Sequence, residues 1–122
     1  MKFLLIMNIN PKVLASLTDE EQAAIGAGHD DLIKELSESG EMISTQALAD
    51  PSTSVTVKAV DGVPTATDGP FLEAKEFIGG YYLVDVENRD RAIELAKKIP
   101  DAKIPGLGIE VRQVMFDGGT EM

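Results

Sequence analysis

Two runs in this sequence carry apolar residues on both sides of an extended chain, and nothing else limits the fold so much. "MKFLLIMNI", at residues 1–9, is almost wholly apolar until Asn10-Pro11. Successive side chains on a strand point to opposite faces, so such a run needs cover above and below. "GGYYLVDV", at 79–86, behaves alike: Tyr81 and Leu83 fall on one face, Tyr82, Val84 and Val86 on the other. A sheet with one face in water would alternate more strictly.

The segments between these runs supply the rest of the pattern. Thr18-Asp19-Glu20-Glu21 has the form of a capping box, with acids suited to the positive end of a helix dipole. Ile25, Leu32, Ile33 and Leu36 recur at helical spacing and Gly40 is a stop signal, which predicts a helix over about 18–39 that Gly26 and Gly28 weaken. "EMISTQAL" reads as a strand and "DPSTS" as a loop. "SVTVKAV" and "VPTAT", joined by Asp61-Gly62, read as a hairpin. Asn88 caps a second helix whose stripe of Ala92, Ile93, Ala96 and Ile99 ends at Pro100, and "GIEVRQVMF" closes as a strand.

The order strand, helix, strands, strand, helix, strand predicts an α+β fold: a ferredoxin-like antiparallel sheet with two helices on one face. The other face is expected to be covered by a second copy, making a homodimer. One domain over residues 1–116 is expected, followed by a frayed C-terminal tail at 117–122.

Charge and composition exclude several partners. The formal net charge is −10, from 21 acidic and 11 basic residues. Such a chain is repelled by a phosphate backbone and by anionic membrane surfaces, so neither nucleic acid nor membrane is expected as a partner. The run "FLLIM" falls far short of the ~20 apolar residues that span a bilayer, and a cytoplasmic location is the default. The chain has no cysteine and one histidine, which excludes a thiolate or His-rich metal site.

A few residues could carry chemistry. His29, the sole imidazole, lies four residues from both Ile25 and Ile33, on the edge of the helical stripe. It is either a general acid or base, since imidazole titrates nearest neutrality, or a structural histidine. Asp68 opens the turn Asp68-Gly69-Pro70, before Phe71 and the charged residues Glu73, Lys75 and Glu76. Gly79-Gly80 permits a bulge or close backbone approach as the next strand begins. Together these describe a shaped loop at a sheet edge, or a solvated loop and no more. Arg112 points away from Ile109 and Val111, toward a ligand carboxylate or an internal salt bridge. Tyr81 could lend a phenol to a pocket or simply pack.

"TDGPFLEAKEFIGGYYLVDV" resembles the signature of the DGPF branch of the YCII-related proteins. Asp68-Gly69-Pro70-Phe71 and the following Glu73, Lys75, Glu76, Gly79, Gly80 and Tyr81 match it, and "IEVRQV" resembles the family's closing Glu-Val-Arg-Pro-Val, with Gln113 for proline. The resemblance implies a dimeric α/β barrel. It also implies an acid–base dyad of a first-helix histidine, where His29 falls, with an aspartate. The other branch carries that aspartate in an Asp-Pro-Tyr type motif that is missing here, which leaves Asp68 as the nearest substitute. Some members occur alongside sigma factors, so a sigma factor is a partner by resemblance only.

The resulting expectation is a small protein that binds a small organic molecule, anionic or hydroxylated, and transfers a proton in an isomerisation or elimination. His29 moves the proton, Asp68 orients the imidazole, and Phe71, Lys75, Tyr81 and Arg112 hold the ligand, with Arg112 on its negative group. No cofactor motif is visible, so no cofactor is expected. The alternative is a non-catalytic ligand sensor or partner-binding module. Those two readings part on whether His29 and Asp68 share a pocket.

Overall fold

The computed structural model describes residues 1–71 and 75–119. Strand β1 (Lys2–Ile9) lies inside an antiparallel sheet, paired on one side with β5 (Phe77–Asp85) and on the other with β6 (Gly108–Gln113). Strand β2 (Met42–Ala47) pairs with the far side of β5, giving the order β2-β5-β1-β6. The two strands that read as apolar on both faces are the two inner ones.

Helices α1 (Pro11–Ser16), α2 (Asp19–Ser39) and α3 (Arg89–Lys98) join the strands. The start of α2 is the capping box read from the sequence: Thr18 Oγ1 accepts the Glu21 N–H at 3.1 Å, and Glu21 Oε1 accepts the Thr18 N–H at 3.0 Å. Gly40 ends it in the left-handed region, at φ 79°, where a Cβ would be strained. Asn88 caps α3 by accepting the Arg91 N–H. The short α1 has no signal of its own in the sequence pattern. Asn10-Pro11 reads as the end of a strand, but Asn10 accepts the Lys12 N–H and Pro11 occupies the first turn, where its missing donor is harmless.

The core lies between one sheet face and the helices. Phe3, Leu5, Met7 and Ile9 of β1 and Tyr82 and Val84 of β5 meet Leu32 and Leu36 of α2 and Ala92, Leu95 and Ala96 of α3. Leu36 and Leu95 are fully buried, each worth about 1.5–3 kcal/mol relative to an exposed side chain. On the opposite face Ile6 is buried, while Leu4, Tyr81 and Leu83 are half-buried.

The expected dimeric α/β barrel with two helices is corrected. Among the described residues the four strands form an open sheet whose edges are β2 and β6, and no sheet closes. The helices among the described residues number three. Among the described residues the hairpin strands β3 (Val55–Val60) and β4 (Val63–Asp68) pair only with each other, as a separate two-stranded sheet. Val55, Val57 and Val63 are exposed. Of the expected tail, Asp117 forms an ion pair with Lys2, and residues 120–122 lie outside the described ones.

Candidate functional site

His29 lies midway along α2, and the residue before it decides what the ring can reach. A Cβ on Gly28 would come within 2.6 Å of Pro100 Cγ. Because Gly28 lacks one, the 3-10 turn Pro100–Lys103 packs directly against the helix. The next residue of that turn, Asp101, then meets the next residue of the helix. His29 Nε2 lies 2.8 Å from Asp101 Oδ1. Asp101 is buried, at 6% exposure, and a buried carboxylate needs such a partner.

Tyr82 arrives from β5, on the sheet face that carries the core. Its hydroxyl lies 2.5 Å from His29 Nδ1, with the two ring planes nearly parallel at 13°. Burial, with the negative charges of Asp101 and Asp30 adding to it, pushes the phenol up to about 12. Tyr82 therefore keeps its proton throughout the neutral range.

These contacts fix where the protons go. A carboxylate only accepts, so the ring donates Nε2–H to Asp101. A neutral imidazole then has an acceptor at Nδ1, which takes the Tyr82 O–H. When the ring is protonated, Nδ1–H donates instead and the Tyr82 hydroxyl is freed to donate elsewhere. Asp101, His29 and Tyr82 thus form a relay whose outer oxygen switches between acceptor and donor as the ring gains a proton.

The relay opens on a cavity of about 650 Å³ between the sheet and the helices, inside the ~300–1,000 Å³ range of small-molecule sites. Met7 and Ile9 of β1, Leu14 of α1, Ile33 of α2 and Phe77 of β5 give it apolar walls, and Thr45 and Gln46 of β2 contribute polar groups. The backbone beside it is shaped by a bulge. Met7 pairs with Gly80 and Asn8 with Ile78, which leaves Gly79 without a partner on β1. A side chain at Gly79 would strike Ile9. The glycine pair in the sequence marked this place.

The residues expected to share the site with His29 are elsewhere. Asp68 ends β4, exposed and paired in register with Val55. The turn after it fastens the base of the hairpin: the Gly69 N–H donates to Ser54 O at 2.7 Å, and Thr56 Oγ1 donates to Gly69 O at 2.7 Å. Phe71 and Lys75 are exposed, and Glu73, between them, lies outside the described residues. Tyr81 faces away from the helices, opposite Ile6. Arg112 stands opposite Leu4 on that same far face, ion-paired with Glu110. Neither Arg112 nor any other Arg or Lys among the described residues lines the cavity, so the expected anion clamp is absent from this lining.

Asp101, Tyr82 and Gly28 escaped the sequence reading. Gly28 left a signal: a glycine in mid-helix beside the only histidine marks a close approach of another element. Asp101 left none, standing 72 residues from His29 in a stretch that reads as a helix stop.

An uncharacterised protein of Rhizobium meliloti (strain 1021) is 31% identical over 75 residues, which cover 62% of this chain and 60% of that protein. The matched segment thus spans less than two thirds of the relative. A profile of the YCII-related domain matches residues 1–116, a span that holds every strand and helix described above, and the chain belongs to that family.

Proposed function

We propose that this YCII-related protein, of the DGPF branch, binds a small organic molecule in the cavity and transfers a proton to or from it. One observation carries the reading: His29 is held between Asp101 and Tyr82 at the edge of that cavity. In the neutral state the Tyr82 oxygen offers lone pairs to a ligand O–H or activated C–H. As that proton moves to Tyr82, the phenol proton moves to His29 Nδ1, and the imidazolium is stabilised by Asp101. The reverse sequence returns a proton to a second ligand atom, which is isomerisation. A relay of this kind supplies about 10²–10⁴-fold of rate. The DGPF assignment rests on Asp68-Gly69-Pro70-Phe71, where Gly69 takes the positive φ that the turn requires.

The test is deuterium exchange. A panel of small ketones, aldehydes and lactones is incubated in D2O with the native protein, His29→Gln and Asp101→Ala, and loss of α-proton signal is followed by NMR. At least one compound is expected to exchange faster with the native protein, and to lose that excess in both variants. If no compound distinguishes the native protein from His29→Gln, the proton-transfer reading falls and ligand sensing replaces it.

A further inference from the structure

We infer that the ligand carries a protonated amine, held at the cavity rim by Asp30 and Asp50 while its proton-bearing group reaches Tyr82. The inference rests on the cavity being the ligand site. Its lining includes Asp30, Asp50 and Asp101 and, among the described residues, no Lys or Arg. Asp101 is engaged by His29, but Asp30 makes no hydrogen bond or ion pair to another described residue. Among the described residues the Asp50 carboxylate accepts only the Ser52 N–H, which holds it below the usual carboxylate range. Asp50 thus stays charged at neutral pH.

Their position gives the ligand a direction. Asp30 and Asp50 are exposed, whereas Tyr82 and Asp101 are buried, so the free negative charge sits at the mouth and the relay at the floor. Between them lie the apolar walls of Ile9, Ile33 and Phe77. A cleft of one sign with low-dielectric walls gathers counter-ions and rejects like charge. The carboxylates are not arranged as a metal site: among the described residues no group of three or more His, Asp or Glu side chains could hold an ion. An organic cation with an apolar body fits this layout; a carboxylate-bearing ligand meets repulsion at the entrance.

Three probes with one body and different heads separate the possibilities: 3-phenylpropylamine, 3-phenylpropan-1-ol and 3-phenylpropionate. Binding is measured by calorimetry and by movement of the His29 ring signals, on the native protein and on Asp30→Asn/Asp50→Asn. Asparagine at 50 retains an oxygen for the Ser52 N–H, so the local turn is kept. The amine is expected to bind about tenfold or more tightly than the carboxylate, and the asparagine variant to lose that preference while still binding the alcohol. If the carboxylate binds as well as the amine, or the amine preference survives in the variant, the inference is overturned with the cavity reading intact. If no probe moves the His29 signals, both fall.

Discussion

At the scale of single residues, Tyr82 carries the clearest consequences. Its hydroxyl is the partner of His29 Nδ1, so Tyr82→Phe leaves a partly buried acceptor unpaired, at about 1–2 kcal/mol of stability in urea denaturation. The phenol also makes stability depend on alkaline pH. It loses its proton near pH 10 in an unfolded chain and near 12 in the fold, so over that interval the fold retains a proton that the unfolded chain has released. Its contribution is complete below pH 10 and is lost as pH rises through 12, by roughly 2–3 kcal/mol. Tyr82→Phe is expected to remove that part of the alkaline destabilisation. The sequence displayed the alternation of Tyr81 and Tyr82 but not which of them faces the helices, because both sheet faces are apolar. Likewise it displayed His29 but not Asp101, since with 21 acidic residues no single carboxylate stands out as the partner.

At the scale of elements, two glycines in α2 have opposite meanings. A Cβ at Gly26 meets nothing within 4 Å, so Gly26→Ala is expected to stabilise the protein by about 1 kcal/mol through helix propensity alone. Gly28→Ala has the same propensity gain but drives a methyl into Pro100. It is expected to destabilise and to part Asp101 from His29, seen as a lower unfolding temperature together with altered His29 ring signals. A second junction ties α3 to the start of β2. Arg91 Nε and Nη2 donate to Glu41 at 2.9 and 2.8 Å, and this hydrogen bonding holds the Glu41 carboxyl below its usual 4.5. The pair's contribution is therefore full above pH 4.5 and fades as pH falls through the lower folded value. Glu41→Gln is expected to cost about 1 kcal/mol at neutral pH and to flatten that acid-side decline in urea titrations. The elements themselves were legible where caps and stops are local, as at Thr18, Gly40 and Asn88. Helix α1 was not, because Asn-Pro serves equally as a strand end and as a helix start.

At the scale of the whole molecule, stability is unevenly spread. The β3–β4 hairpin is held by its own ladder and by the clasp at Ser54, Thr56 and Gly69, with its valines exposed. Amides of β3 and β4 are expected to exchange with solvent far faster than those of β1 and β5, whose opening requires unfolding of the core. Equal protection of the two sets would show that the hairpin is packed as firmly as the sheet. Periodicity revealed this hairpin's strands but not their separation from the main sheet, which depends on pairings far apart in sequence. The relay has one further consequence, for coordination chemistry. Each nitrogen of the only imidazole in the chain already has a protein partner, Asp101 at Nε2 and Tyr82 at Nδ1. To bind copper, nickel or zinc, the ring would have to break one of them, and the chain has no thiolate to offer in its place. The two contacts that hold His29 in place also withhold it from transition metals.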